Sequence, residues 1–153
     1  MKKLPRNTHR FMSFVALALL FLTGLDLFSP AGMGGADWKL IEKDDEGIWI
    51  YDAQTVNCLS NHRIKVQTRK FYERKAVLAF VEKYGGKYEN LGYVLAQWEI
   101  DCFQKRFTLC SAVFYSEENS AIDGYHPEKE GCLTPEDIPP DSYLELLRRK
   151  VCR

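Results

Sequence analysis

The spacing of polar and apolar positions along the 153-residue chain changes several times, and each change marks an element. "DWKLIE" and "GIWIYD" are short alternating runs on either side of the polar "KDDEG", which predicts a first hairpin from Trp38–Glu42 and Ile48–Asp52. "HRIKVQTRKF" sets Ile64, Val66 and Thr68 against Lys65, Gln67 and Arg69, the pattern of a half-buried strand with one wet face. At "ERKAVLAFVEKYGG" the period becomes helical. Val77, Phe80, Val81 and Tyr84 fall on one stripe, and Gly85-Gly86 supplies the stop, so a helix is expected near residues 73–84. "LGYVLAQWEIDC" and "RFTLCSAVFY" read as two longer strands joined by a tight polar connection near "FQKR". Beyond Tyr115 the acid-, Gly- and Pro-rich "SEENSAIDGYHPEKEGCLTPEDIPP" reads as loop. No internal repeat or interior linker divides the chain.

A second helix closes it. Pro139 and Pro140 forbid an earlier start, and "SYLE" has the form of a capping box, with Ser142 as N-cap and Glu145 reaching back. Tyr143, Leu144, Leu147 and Val151 form its apolar side, and Arg148, Arg149 and Lys150 suit the negative end of the helix dipole. A helix of about ten residues is marginal alone in water, so it must dock. The expected dock is the strand on which Val94, Ala96, Trp98, Ile100 and Cys102 share an apolar face. Cys102 then stands at the end of that face, a candidate partner for Cys152. Cys110 competes for the role. With one register it joins the Trp98 face; with the other, Phe107, Leu109, Val113 and Tyr115 join it and Cys110 points away. The second register buries more apolar area and is preferred.

The N-terminus sets the compartment. "MKKLPRNTHR" is basic and without acid, "FMSFVALALLFLTGLDLF" is nearly all apolar, and "SPAGMGGA" is small-residue-rich. This is the pattern of a secretory signal over residues 1–36, cleaved after Ala36 and followed by one domain over residues 37–153. Left uncleaved, the leader would be the chain's only membrane contact. It takes four of the 21 basic residues and one of the 21 acidic ones, so the rest carries a charge near −3. That balance argues against nucleic acid as a partner. All five cysteines lie beyond the leader, and in an exported domain of this size they read as disulfides with one thiol left over. Cys58 and Cys132 are the candidates for a second bridge.

Candidate chemistry is sparse. Cys58, His62, His126 and Cys132 would make a two-cysteine, two-histidine zinc set, but no CxxC supports it. A nucleophilic thiol would need His62 or His126 beside a reduced cysteine. No covalent-haem, G-x-S-x-G, P-loop or dinucleotide motif occurs, so neither a cofactor nor an enzymatic activity is expected. Aromatic residues are the fuller signal. Trp38 and Trp98 are assigned to the core, while Trp49, Tyr51 and Tyr93 are candidate anchors for a protein partner. The face carrying Arg63, Lys65 and Arg69 is a candidate contact for acidic groups.

Taken together, "DW", "IWIYDAQTV", "IKVQTRKF", "WEIDC" with "RFTL", and "IPPDSYLELLRRKVC" resemble the surface-adhesin protein E family. The resemblance implies an α+β fold: a mainly antiparallel sheet whose C-terminal helix packs on one face, tied to it by a Cys102–Cys152 disulfide. It also implies a periplasmic or surface location, and adhesion to host proteins in founding members. The cysteines in "CLSNH", "FTLC" and "GYHPEKEGC" depart from the family's pattern. The expectation is therefore an exported, non-enzymatic protein-binding domain, with homodimerisation open. The alternative is a domain binding a small ligand between sheet and helix.

Overall fold

The computed structural model describes residues 35–125 and 131–152. The basic and apolar stretches of the predicted leader, and His126, lie outside the described residues. In chain order the elements are β1 (Trp38–Lys43), β2 (Gly47–Asp52), β3 (Asn57–Cys58), β4 (Arg63–Tyr72), α1 (Arg74–Tyr84), a 3-10 turn (Gly86–Tyr88), β5 (Leu91–Asp101), β6 (Arg106–Ser116), β7 (Ala121–Tyr125), β8 (Glu136–Asp137) and α2 (Tyr143–Val151). The sheet runs β1-β2-β4-β5-β6-β7, with β3 attached to β4 and β8 to β6. Every pairing is antiparallel. The fold is α+β. The strand β7 and the two-residue strand β8 lie where the sequence reads as loop, and β3 lies in a stretch to which the sequence pattern assigns no element.

The β1–β2 hairpin depends on a glycine. Gly47 has φ +155°, and a Cβ there would stand 1.9 Å from the main-chain oxygen of Phe71 on the neighbouring β4. No side chain fits between strands that close.

Both helices cover the same side of the sheet. Ile64 and Val66 of β4, Val94, Ala96, Trp98 and Ile100 of β5, and Trp49 of β2 converge on Leu144 and Leu147 of α2. Leu147 is fully buried, and burying a leucine contributes about 1.5–3 kcal/mol. α1 inserts Val77 against Tyr88 and Leu91, and Tyr72 and Phe114 border both clusters. Thr68, fully buried among these residues, accepts a hydrogen bond from Trp98 Nε1 at 2.8 Å and so satisfies the indole.

α2 is fixed at both ends. Tyr143 stacks on Trp49 with ring centroids 3.6 Å apart and meets Trp98 edge-on at 6.4 Å. Burial there pushes the Tyr143 hydroxyl well above its ordinary range. At the other end Cys152 is bonded to Cys102, 50 positions away in the chain. Closing a loop of that length removes denatured-state entropy equivalent to about 4 kcal/mol. Ser142 Oγ accepts from the Glu145 amide at 3.3 Å, as the capping pattern predicts. Glu145 does not reach back to the Ser142 amide. Its carboxylate instead accepts from Arg148 at 2.8 Å and Arg149 at 2.9 Å, one turn along the helix.

The β5–β6 register corrects one expectation. Trp98 pairs with Leu109 and Ile100 with Phe107, which puts Phe107 and Leu109 on the helix-covered face. Between Gln97 and Trp98 the register shifts, making Cys110 the extra residue of a bulge. Beyond it Ala112 and Phe114 take the helix side, while Val113 and Tyr115, expected there, turn to the other side. The second bridge is also corrected. Cys132 is bonded to Cys110, not to Cys58, which is exposed and unbonded. Cys110 points away from α2, as the preferred register has it, to where the returning chain passes: the Leu133 amide donates to the Leu109 oxygen at 2.9 Å.

The two arginines at Glu145 hold its carboxyl down to about 2. A carboxylate depressed in the folded state adds stability above its unfolded pKa and loses that contribution as pH falls toward the folded value. Between about pH 5 and pH 2 the thermal midpoint of the native protein should therefore fall further than that of a Glu145→Gln variant. Equal falls in parallel melting curves would show that the cluster carries no such linkage.

Candidate partner-binding face

β-Strand alternation gives the sheet a second face, and no described helix covers it. Two adjacent cross-strand rows make its upper half. One runs Leu40, Ile50, Arg69, Leu95 and Val113; the next runs Lys43, Ile48, Phe71, Tyr93 and Tyr115. Leu40, on the edge strand β1, is 55% exposed, and Phe71 is 38% exposed, a high value for a large apolar side chain in the middle of a sheet. Tyr93 stacks on Tyr115 with centroids 4.9 Å apart and tilts toward Phe71 at 5.7 Å. The Tyr93 hydroxyl also donates to Asn119 Oδ1 at 3.1 Å, which pins the ring.

Arg69 lies in the middle of these rings. Its guanidinium carbon is 4.7 Å from the Trp38 ring centroid, 4.8 Å from Tyr93 and 5.7 Å from Phe71. Rings at that range attract the cation through their negative faces. The lower half of the same face is polar. Rows of Gln67 and Gln97, Lys65 and Glu99, and Arg63 and Asp101 cross it. A cavity of about 190 Å³ opens there between Arg63, Glu99, Asp101, Arg106 and Thr108.

The residues singled out in sequence separate on this geometry. Tyr93 and Arg69 meet on the open face. Arg63 and Lys65 share that face but lie in the polar half, where Arg63 pairs with Glu99 and Lys65 stands opposite Glu99 across the strands. The three basic residues are therefore not one continuous patch. Trp49 is not a surface anchor: it is 9% exposed, beneath Tyr143. Tyr51, on the same strand face, packs against the main core cluster. Both are inward because β2 turns its odd-numbered residues toward α2. Trp38, assigned to the core, is instead the outer wall of the Arg69 cluster. Its place there has a local cause, since it follows Asp37, whose amide is held by Asp52 Oδ1 at 2.9 Å.

The zinc set does not assemble. Cys58 and His62 line a groove of about 340 Å³ beside the Cys102–Cys152 bridge, on the α2 side. Cys132 is oxidised and lies with Cys110 and Glu99 on the opposite side.

A family model described as surface-adhesin protein E matches residues 38–153. The chain belongs to the surface-adhesin protein E family. The match takes in every described strand and helix, from Trp38 to Val151. Among solved structures, the selenomethionine form of Haemophilus influenzae protein E is similar at 12% identity, covering 79% of this chain and 88% of that one, with a TM-score of 0.46. Crystal form II of the same protein gives 14% identity, 68% and 79% coverage, and a TM-score of 0.43. A third Haemophilus influenzae protein E structure gives 14% identity, 80% and 88% coverage, and 0.45. No curated protein matches the chain. Membership of a surface-adhesin family puts the folded domain outside the cytoplasm.

The two faces should respond differently to truncation. Trp49→Ala removes a core ring and should cost about 3–5 kcal/mol. Phe71→Ala, on the open face, should cost no more than about 1 kcal/mol. Urea unfolding of the two variants measures both, and a large loss for Phe71→Ala would show that something structural covers that face.

Proposed function

We propose that this protein is a non-enzymatic, adhesin-like binding domain of the cell envelope, and that the open sheet face around Arg69 is where a partner protein docks. The observation that carries the reading is the one-sided cover: α1 and α2 bury one side of the sheet, and aromatic rings are left outward on the other. Exposed, ordered tyrosine, tryptophan and arginine are the side chains that dominate binding energy at protein interfaces. The family supports adhesion as the use of such a face.

The reading includes export with cleavage after Ala36. The fold's first contacts support that position. The Asp37 amide donates to Asp52 Oδ1 at 2.9 Å, and the Asp37 oxygen accepts from the Ala53 amide at 2.9 Å. Asp52 is 4% exposed. A new α-ammonium group at Asp37 would therefore meet a buried carboxylate, which strengthens the existing hydrogen bond. N-terminal sequencing of the exported protein should begin Asp37-Trp38; a start several residues beyond Trp38 would remove a wall of the binding face and overturn this processing.

Adhesion itself is tested by displaying the protein on a non-adherent cell and counting attachment to protein-coated surfaces. Attachment should rise, fall back when Phe71 and Tyr93 are both changed to alanine, and persist with Lys65→Ala. A gain that ignores the Phe71/Tyr93 change would place the site elsewhere, and no gain on any coating would sink the adhesive role.

A further inference from the structure

Arg69 differs from the other arginines of the described residues in what surrounds it. Arg63 has Glu99, Arg106 has Asp137 and the Pro135 oxygen, Arg148 and Arg149 share Glu145, and Arg74 donates to the Glu89 oxygen. The Nε of Arg69, like that of Arg106, is enclosed with no hydrogen-bond acceptor, but Arg106 has the Asp137 carboxylate beside it and no described carboxylate pairs with Arg69. The rings of Trp38, Tyr93 and Phe71 account for its position. A ring interacts with the cation through its π-face and leaves the in-plane N–H donors unanswered.

A guanidinium carries five donors in a fixed fork that matches a carboxylate, and a hydrogen bond to a charged group left unmade in an apolar setting is costly. Here the fork is held by aromatic packing before any ligand arrives, so little ordering entropy is left to lose on binding. The surroundings narrow the ligand further. Leu40, Ile50, Leu95 and Val113 make Arg69 the one charge in its row. A polyanion such as a sulfated sugar or nucleic acid calls for several cations together. The nearest basic side chains farther along β4, Lys65 and Arg63, are already set against Glu99, and Lys43 of the adjacent row stands two strands away on the edge strand β1.

Resting on the reading of this face as the docking surface, we infer that its partner is a protein segment bearing a single aspartate or glutamate flanked by apolar side chains. The carboxylate takes the terminal Nη groups of Arg69, whose Nε is enclosed, and the apolar flanks cover Leu40, Phe71 and Tyr93. The aromatic rings supply contact area, and the guanidinium supplies selectivity. An amide in place of the carboxylate leaves the cation unpaired on a surface that has just lost its water.

The experiment is selection of a random twelve-residue peptide display library on the full exported protein. Enriched peptides should carry one Asp or Glu between apolar residues. Changing that acid to its amide should weaken binding about tenfold or more, as should Arg69→Gln or Arg69→Met in protein whose melting temperature is unchanged. In the Arg69→Gln protein the acid and amide peptides should bind alike. Peptides that need Phe71 and Tyr93 but carry no acid overturn the carboxylate assignment and leave the docking face standing. Peptides indifferent to Phe71 and Tyr93 overturn both. An empty selection, or heparin binding that depends on Arg69 more strongly than any peptide does, overturns the assignment as well.

Discussion

The docking of α2 onto the sheet is the constraint from which the rest follows. The helix is nine residues long, too short to persist alone, and the face it covers includes Val66 and Ile100 at 0% exposure. The helix needs the sheet, and without the helix the sheet would expose that apolar face to water. Tyr143 wedges between Trp49 and Trp98 at the start of the helix, and the Cys102–Cys152 bond ties down its end. The rings set where the helix enters, and the covalent bond keeps its far end from fraying. Because the bond needs an oxidising setting, compartment and fold are linked: export is part of what makes this architecture stable.

That arrangement uses both helices on one side. Lys70 shows how completely the covered side is organised. It is 6% exposed, pairs with Glu46 at 2.8 Å, and lies 4.9 Å from the rings of both Trp49 and Tyr72. A cation on the core side thus has its carboxylate as well as its rings. Arg69, one residue along the strand and so on the opposite face, has rings alone. The contrast between neighbours is what makes the missing acceptor at Arg69 informative, because the fold supplies one elsewhere.

The legible parts of the sequence were those with a single period. The alternation in β4, the stripe in α1 and the proline-bounded start of α2 each have one periodic solution, and the structure adopts it. β2 does not: "IWIY" is apolar on both faces, so alternation alone leaves Trp49 equally eligible for core and surface. The orientation of Val113 and Tyr115 was hidden for another reason. One extra residue at Cys110 reverses every later side chain of the strand, and no turn residue announces it. The Cys110–Cys132 pairing was hidden separately: the preferred register faces Cys110 away from α2, but nothing in the spacing says that the segment bearing Cys132 returns past it. β7 was missed because "AIDGY" carries the glycine and acid of a loop. Likewise, Arg69 and Phe71 are two apart and visibly share a face, but Trp38 and Tyr93 join them through pairings that periodicity does not specify.

An uncovered sheet face rich in aromatic groups is an aggregation hazard unless something discourages like from meeting like. Arg69 is placed to do that. Two copies stacked about an axis near Arg69 would press one unpaired guanidinium toward another while stripping water from both, and that juxtaposition is unfavourable. A central charge on an apolar face is one of the devices that keeps β-sheets from associating indiscriminately. The same charge then selects what is allowed to bind. Only a surface that brings its own carboxylate avoids the desolvation cost, so the side chain that would oppose such a stacking of two copies is also the one that selects a partner.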